Sequence, residues 1–425
     1  MGRRRCSMID WQPFSPKQLA FIDHSNAKMN VATGSVRSGK TICGTMRWIK
    51  KLMEGPDADY AMLGKSLGTL KRNVINDLFD ILGKSQARWV DRQQGEMRIL
   101  GKRVYAIGAA TEEAEERIRG ATFAAAYCDE GNLYPESVWM QLQARLSLPG
   151  AQTFVNCNPD SPYHWFYKQV LKNNALDKKI WQFTMDDNLS LTDDYRRQLA
   201  AQYSGVFRRR FIEGIWCVAE GKIYDTFDPE KHTMDCLSKV ETIPESARDY
   251  YVGCDQGTSV TCSWSIMCRD KRTGVNYKVA EYYYEAKEAR HQKDDSQYFA
   301  DFVDFVNEYV PKSFHHNLPV YGDPAASSWD AMLTNHRFNY RHADNDVLEG
   351  IKFVLKLLNT GKYFIDKRCK KTQEEYDNYS WDETAQAKGL DKPKKVFDHS
   401  CDSDRYALYT HNKNALSGIY RMRRG

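Results

Sequence analysis

The chain has 425 residues, a formal net charge of +5 and a hydrophobic fraction of 42%, a composition that excludes a disordered chain and, at about 100–200 residues per domain, indicates two folded domains. No run approaches the roughly 20 apolar residues that span a bilayer and the first residues lack the apolar segment of a signal peptide, so we expect a soluble, intracellular protein with no membrane partner. The 11 cysteines lack paired C-x-x-C spacing, which supports neither a disulfide framework nor a zinc ribbon.

Strands that alternate with helices are predicted along the first half of the chain. A strand at residues 29–33 precedes a helix-like run, and further apolar strand-like runs follow at residues 59–64, 103–108, 123–128 and 153–157. Strands separated by helices indicate a mainly parallel, doubly wound α/β sheet. We expect this first domain to occupy residues 1–218.

The loop after the first strand carries the most specific motif of the chain. Its sequence matches the phosphate-binding pattern G-x-x-x-x-G-K-T and reads Gly34-Ser35-Val36-Arg37-Ser38-Gly39-Lys40-Thr41. The motif predicts a bound nucleoside triphosphate, with Lys40 neutralising the β and γ oxygens and the Thr41 hydroxyl on Mg²⁺. Arg37 is either an arginine finger that stabilises charge on the γ-phosphate or the partner of an acid in the loop.

Four more residues are predicted to complete the nucleotide site. Asp129 and Glu130 end an apolar strand, where Asp129 can bind Mg²⁺ and Glu130 can orient and deprotonate the attacking water; a solvated turn is the alternative. The Gln18 amide can read an adenine edge. Asn158, in the strand-end run Asn156-Cys157-Asn158-Pro159, can sense the γ-phosphate, unless this run is a simple turn.

A second α/β domain is predicted at residues 246–425, after an interdomain linker at residues 219–245 that contains turn formers and no helical period. Three strand-like runs in immediate succession indicate antiparallel pairing, at residues 250–255, 261–267 and 277–284. Helical patterns and one short apolar run follow, so we expect a mixed sheet.

Three acids of the second domain stand at the ends of apolar segments. Asp255 and Asp323 follow strand-like runs, and Asp402 lies at the start of a late helix. Carboxylates that converge in this way can hold two divalent ions roughly 4 Å apart for phosphodiester cleavage. Any one of them alone is more simply a solvated strand-end residue.

Other polar residues near these acids have less certain roles. His399 lies one helical turn before the late acid and is a metal ligand, a proton carrier or a helix cap. Asp404 should point to another side of the same helix, and we therefore leave it out of the site. Glu281 is an alternative site acid.

Together these motifs resemble the large subunit of tailed-phage terminases over nearly the whole chain. The resemblance rests on Gln18, the 34–41 loop with its internal arginine, Asp129-Glu130, Asn156 to Pro159, Gly253-Cys254-Asp255, Tyr321 to Ala325, and His399-x-x-Asp402 with Arg405-Tyr406-Ala407. Two positions depart from the family pattern. The interior of the loop is Ser-Val-Arg-Ser rather than glycine-rich, and Ser403 stands where alanine is more usual.

The resemblance implies an ATPase domain followed by an RNase H-like nuclease domain. It implies ATP with Mg²⁺ in the first and two Mg²⁺ or Mn²⁺ ions in the second, bound by Asp255, Asp323 and Asp402. The implied partners are double-stranded DNA, the portal protein, the small terminase subunit and further copies of the chain in a ring on the prohead, although the isolated protein can be monomeric. The implied location is the cytoplasm of the bacterial host and, transiently, the prohead portal.

Two rival functions share some of these motifs. A helicase-nuclease or repair-type DNA-dependent ATPase would also carry the phosphate loop and the metal acids, but no run of further helicase motifs follows Asn158. A nuclease-inactive assembly factor would not need the three acids of the second domain, and all three are present.

Overall fold

The computed structural model describes residues 13–111, 114–256 and 261–422, without the side chains of residues 287 and 416–422. It divides into two compact units. The first contains residues 1–200, 206–218 and 388–390, and the second contains residues 201–205, 219–387 and 391–425. Within the described ranges, no helix is long and apolar enough to cross a membrane.

The first unit is built on an eight-stranded sheet with the order β3-β4-β5-β2-β6-β7-β1-β8. Its strands are β1 (Met29–Gly34), β2 (Asp59–Gly64), β3 (Ala87–Asp91), β4 (Glu96–Ile99), β5 (Lys102–Gly108), β6 (Phe123–Cys128), β7 (Gln152–Cys157) and β8 (Lys178–Phe183). Its helices are α1 (Pro16–His24), α2 (Lys40–Glu54), α3 (Leu67–Leu70), α4 (Asn76–Leu82), α5 (Ala114–Ile118), α6 (Glu136–Arg145), α7 (Asp193–Ala200) and α8 (Gly205–Phe211). All strands are parallel except the antiparallel β3-β4-β5 edge.

Apolar side chains on both faces of this sheet explain its burial. Every residue of β6 is buried, as expected for a central parallel strand with helices on both sides. On one face, Trp48 of α2 packs against the rings of Tyr60, Tyr127 and Phe154, with centroids 6.0, 6.0 and 6.4 Å away. The predicted mainly parallel α/β sheet is confirmed. The β3-β4 hairpin, which the sequence analysis did not predict, makes its edge antiparallel.

The second unit is built on a seven-stranded mixed sheet with the order β14-β13-β10-β11-β12-β15-β9. Its strands are β9 (Thr233–Met234), β10 (Arg248–Gln256), β11 (Thr261–Asp270), β12 (Asn276–Glu285), β13 (Pro319–Gly322), β14 (Asn339–His342) and β15 (Tyr363–Asp366). Its helices are α9 (Pro229–His232), α10 (Cys236–Glu241), α11 (Ala286–Ala289), α12 (Asp295–Tyr309), α13 (Lys312–His315), α14 (Ser327–Asn335), α15 (Val347–Asn359), α16 (Lys370–Asn378), α17 (Glu383–Ala387) and α18 (His399–Met422). β10, β11 and β12 pair antiparallel in sequence order, which confirms the predicted mixed sheet.

The two faces of this second sheet are covered differently. On one face, Trp264 stacks between Tyr282 and Trp329, at centroid distances of 4.0 and 5.6 Å. On the other face α18 crosses β10 so closely that a Cβ at Gly253 would lie 2.0 Å from the Ser403 carbonyl oxygen. Glycine at 253 therefore lets the late helix approach the strand that carries Asp255.

Residues 219–245, which the sequence analysis assigned to an interdomain linker, fold as part of the second unit. β9 pairs in parallel with β15, with Thr233 opposite Ile365. Cys236 and Val240 of α10 are buried in the core of this unit. The sequence did not reveal these elements, because a two-residue strand and helices of four and six residues are too short to give a periodic signal.

Two candidate active sites

The phosphate loop leaves β1 and enters α2 through backbone conformations that require glycine at its two ends. Gly34 has φ +138° and Gly39 has φ +83°. A Cβ at Gly34 would lie 1.9 Å from the Phe183 carbonyl oxygen. Arg37, at the tip, adopts a left-handed φ of +57° without being a glycine. Such strained positions persist where the surrounding structure holds them, and they cluster at functional sites.

Lys40 is folded back onto the loop itself. Its Nζ donates to the carbonyl oxygens of Gly34 and Ser35, at 3.1 and 2.6 Å, and to Ser38 Oγ at 3.2 Å. The residue is 7% exposed. Burial lowers the pKa of Lys40 to about 8. A nearby anionic charge would raise the pKa of Lys40 again, and a bound triphosphate would supply such a charge.

A cavity of about 420 Å³ opens over this loop. It gathers predicted residues from separate parts of the chain together with residues that were not predicted, among them Ile42, Thr45, Asn73, Asp77 and Asn188. The predicted residues that line it are Val36, Arg37, Ser38, Gly39, Lys40, Thr41, Asp129, Glu130 and Asn158. Gly34 and Ser35 are not part of this lining, and their carbonyl oxygens accept hydrogen bonds from Lys40 Nζ.

Asp129 and Glu130 are organised by one buried amide, that of Asn156 at the end of β7. Asn156 Nδ2 donates to Asp129 Oδ1 at 3.0 Å and to the Tyr127 hydroxyl at 3.1 Å, while its Oδ1 accepts from the Glu130 backbone N–H at 2.7 Å. Asn73 Nδ2 donates to the other oxygen of Asp129 at 3.4 Å. Burial raises the pKa of Asp129, and the two amide hydrogen bonds oppose this shift. Asn156, rather than Asn158, is therefore the central amide.

The backbone of Glu130 is also strained, with a left-handed φ of +56°. Together with the bond from Asn156, this conformation sets where the Glu130 side chain leaves the strand end. Asn158 lines the cavity, and its carbonyl oxygen accepts from Asn132 Nδ2 at 3.3 Å. Glu130 and Asn158 thus face one cavity from the ends of neighbouring strands, β6 and β7.

Arg37 and Gln18 occupy different places relative to the loop. Arg37 is exposed, and its carbonyl oxygen accepts from Asn188 Nδ2 at 2.7 Å. Among the described residues no acidic side chain pairs with its guanidinium, so the pairing alternative is not observed. Gln18 caps α1 through Ser15, and its Nε2 lies against Gly39, where a Cβ would be only 2.2 Å away. Gln18 therefore lies next to the loop without lining the cavity.

The second site is set by two neighbouring parallel strands. Cys254 of β10 lies opposite Gly322 of β13, and the next residues along the two strands are Asp255 and Asp323. Both acids line a cavity of about 300 Å³. The carboxyl ends of parallel strands meet at one edge of a sheet, and this is why the sequence could anticipate the pair.

Asp255 is paired with His399, the first residue of α18. His399 Nδ1 lies 2.7 Å from Asp255 Oδ2. Burial raises the pKa of Asp255, against the effect of this hydrogen bond. Burial alone would lower the pKa of His399, but the hydrogen bond and the charge of Asp255 outweigh it and raise that pKa. The pair is thus a carboxylate facing a readily protonated imidazole.

Asp402 and Asp323 are held by residues to which the sequence analysis gave no individual role. Asp402 Oδ1 accepts from Arg405 Nη2 at 2.9 Å and from Nε at 3.2 Å, and Lys395 Nζ lies 3.4 Å from Oδ2. The Tyr406 hydroxyl donates to Asp323 Oδ2 at 3.0 Å. The spacing of Arg405 from Asp402, one helical turn, is consistent with this contact.

Each of the three acids therefore has its own partner in this structure. In the part of the chain that is described, no three His, Cys, Asp or Glu side chains are gathered closely enough to hold a metal ion. Asp255 and Asp323 face a shared cavity, whereas Asp402 does not line it. The donor set fits Mg²⁺ or Mn²⁺ in its chemistry. In this structure Asp402 Oδ1 is bound by Arg405, and Oδ2 lies 3.4 Å from Lys395 Nζ.

Asp404, which the sequence analysis left out of the site, and Glu281, which it kept as an alternative site acid, both have structural roles. Asp404 is fully buried on another side of α18, where it accepts from Lys278 Nζ and the Tyr363 hydroxyl, both at 2.7 Å. Glu281 accepts from the backbone N–H groups of Lys371 and Thr372, at 2.9 and 2.8 Å, and so caps α16. Glu281 is therefore not a site acid in this arrangement.

Comparisons with known proteins point to one family. Residues 31–231 match the family model "Terminase large subunit, T4likevirus-type, N-terminal". The terminase large subunit of Escherichia phage T5 is 24% identical over 283 residues, which is 64% of this chain but only 61% of that protein. The solved large terminase of a thermophilic bacteriophage is 35% identical, with a TM-score of 0.82, over 94% of this chain and 99% of that one. The complex of that terminase with ATP-gamma-S matches at 36% identity with a TM-score of 0.80 over 94% and 99% of the two chains.

Proposed function

The chain belongs to the family of phage large terminases, and from this premise we propose that it is an ATP-driven motor that moves double-stranded DNA into the prohead and a nuclease that cuts the concatemeric DNA. The single observation that carries the motor proposal is one cavity lined by Lys40, Thr41, Asp129 and Glu130. The likeness to a large terminase solved with ATP-gamma-S supports ATP as the nucleotide.

In the motor site, Lys40 turns from the loop carbonyls to the β and γ oxygens of ATP. Thr41 and Asp129 hold Mg²⁺, which neutralises charge on the phosphates when bound. Glu130 orients and deprotonates the attacking water, from a position fixed by its strained backbone and by Asn156. Arg37, exposed at the tip of the loop, stabilises the charge that develops on the γ-phosphate. Gln18 contacts the adenine, and Asn158 senses the γ-phosphate.

In the nuclease site, Asp255, Asp323 and Asp402 hold two Mg²⁺ or Mn²⁺ ions. When bound, such ions activate a water and stabilise charge on the phosphodiester. His399 accepts or returns a proton beside Asp255, because its imidazole is readily protonated there. The shared cavity of Asp255 and Asp323 supports this assignment. Cleavage is independent of DNA sequence if the protein contacts mainly the phosphate backbone, as a translocating motor requires.

The wider assembly follows from the same proposal. Residues 1–218 form the motor domain, and residues 246–425, together with the segment 219–245 that folds with them, form the RNase H-like nuclease domain. A ring of copies acts on the prohead with the portal protein and the small terminase subunit, in the cytoplasm of the bacterial host. The isolated chain can be monomeric before it joins the ring.

Two variants measured in parallel test the two activities. Glu130→Gln should abolish DNA-stimulated ATP hydrolysis and leave Mn²⁺-dependent cleavage of plasmid intact, because the two cavities share no residue. Asp255→Asn should do the reverse. Unchanged ATP hydrolysis in the first variant would contradict the motor site. Unchanged cleavage in the second variant would contradict the nuclease site.

A further inference from the structure

Glu375 of α16 is buried next to the nuclease site but touches none of the acids proposed to bind metal. We propose that Glu375 is a positioning residue for DNA cleavage, whose carboxylate caps α18 and so fixes the helical turn that carries His399 and Asp402. This inference rests on the proposed nuclease function and assigns to it a residue outside the metal-binding motif.

The carboxylate of Glu375 accepts three hydrogen bonds. Oε2 accepts from the backbone N–H of Ser400 at 2.6 Å and of Cys401 at 3.1 Å, and Oε1 accepts from the Tyr283 hydroxyl at 2.9 Å. The first N–H groups of a helix have no partner within the helix. An anion at this end also interacts favourably with the helix dipole. Glu375 therefore satisfies the start of α18 from a different helix.

The two capped residues lie between the two functional ones. Ser400 and Cys401 separate His399 from Asp402, so the cap acts on the turn that sets both side chains. Ser400 is fully buried and Cys401 is 1% exposed. In the intact structure these N–H groups therefore depend on the Glu375 carboxylate and not on solvent. Loss of the cap would therefore release the turn.

The position of Glu375 is itself fixed by the sheet. Glu281 of β12 caps α16 at Lys371 and Thr372, one helical turn before Glu375. Tyr283, which donates to Glu375, also belongs to β12. β12 pairs with β11, and β11 pairs with β10, the strand of Asp255. Two carboxylate caps, the half-buried Glu281 and the buried Glu375, thus link the strand-borne acid to the helix-borne acid.

Burying this carboxylate is costly, which points to a role beyond general stability. Glu375 is 1% exposed, and burial raises the pKa of its carboxyl to about 7. Buried ionic groups often stabilise less than apolar side chains of similar size, but they can fix one geometry among several. Metal-dependent sites need their ligands held within about 0.5 Å of the productive arrangement. A cap on the ligand-bearing turn meets this need.

The test compares three variants of the full chain. Glu375→Ala removes the cap. Glu375→Gln keeps it, because the amide oxygen can accept from both backbone N–H groups while the amide nitrogen donates to the Tyr283 oxygen. Glu374→Gln is the matched control, since the neighbouring side chain is about half exposed and pairs only with the exposed Lys371 in the described structure. Plasmid cleavage is measured against Mn²⁺ concentration, with ATP hydrolysis and thermal unfolding recorded on the same samples.

We expect Glu375→Ala to lower maximal cleavage about tenfold or more, in line with loss of positioning, and to raise the Mn²⁺ concentration for half-maximal cleavage. The KM for plasmid should change little. Glu375→Gln should restore most of the rate, and Glu374→Gln should match the wild type. ATP hydrolysis should be unchanged in all three. If Glu375→Ala does not fold, the test uses Glu375→Gln and Tyr283→Phe instead. We then expect a partial loss of plasmid cleavage for Tyr283→Phe and none for Glu375→Gln.

Three results would overturn the proposal. The first is that Glu375→Ala cleaves with the wild-type rate and Mn²⁺ dependence. The second is that Glu375→Gln is as defective as Glu375→Ala. The third applies if Glu375→Ala is unfolded, and it is that Tyr283→Phe and Glu375→Gln both match the wild type. Failure of the nuclease function itself looks different. In that case the wild type does not cleave, or Asp255→Asn cleaves as well as the wild type.

Discussion

Asn156→Ala is expected to disable the motor site although this residue needs no contact with ATP. The substitution removes the hydrogen bonds to Asp129 Oδ1, the Tyr127 hydroxyl and the Glu130 backbone N–H. Hydrogen bonds to a charged group contribute about 1.5–3 kcal/mol and neutral ones about 0.5–1.5 kcal/mol. Asp129 is only 4% exposed, so loss of the amide leaves a largely buried carboxylate without its closest hydrogen-bond donor, and we expect about 3 kcal/mol of destabilisation.

The catalytic effect should exceed the effect on stability. A displacement of about 1 Å at a reacting group can cost about 100-fold in rate, and Asn156 sets both Asp129 and the backbone of Glu130. We therefore expect kcat for ATP hydrolysis to fall about 100-fold, measured at a temperature where urea titration shows the variant folded. Asn158→Ala is the matched control, because its side chain lines the same cavity but bonds neither acid in the described structure. It should change KM for ATP more than kcat. A wild-type kcat in Asn156→Ala would refute the reasoning.

Three further outcomes are expected. Burial holds the pKa of Lys40 at about 8 in the free protein, so ATP binding should take up most of one proton at about pH 8.5 and little at about pH 7. Calorimetry in buffers of different ionisation enthalpy measures this proton uptake. Equal uptake at both pH values would contradict the prediction. Arg405→Ala leaves the buried Asp402 without its main cation and should lower the free energy of unfolding of the second unit by about 3–5 kcal/mol. Urea unfolding measures this loss, and a wild-type midpoint would contradict the prediction. Gly253→Ala places a Cβ 2.0 Å from the Ser403 carbonyl oxygen, so it should abolish plasmid cleavage and leave ATP hydrolysis unchanged. Intact cleavage would show that α18 can move away from β10 without loss of the site.

The parts of both sites that the sequence predicted are those with local signals. The phosphate loop needs glycine at fixed spacing because its backbone takes positive φ at Gly34 and Gly39. Asp129, Asp255 and Asp323 could be found because each ends a strand-like run, and strand ends of a parallel sheet converge. Residue type, spacing and strand end together were therefore enough to name these positions.

The missed parts depend on contacts between distant segments. Asn73 meets Asp129 across 56 positions, and Arg405 competes for Asp402 in a way that only the folded packing decides. Glu375 sits on a short polar helix whose sequence gives no sign that one carboxylate is buried. The sequence of residues 219–245 predicts a linker because the elements in this segment are too short to give a periodic signal.

The metal centre tests the proposed function most directly. Crystals of the full chain soaked in Mn²⁺ should show anomalous scattering peaks at the manganese edge between Asp255 and Asp323, with Asp402 turned away from Arg405 toward them. Their separation should be roughly 4 Å if two ions bind. No peak in this cavity, or a peak at a different group of acids with Asp255 and Asp323 unbound, would contradict the nuclease assignment.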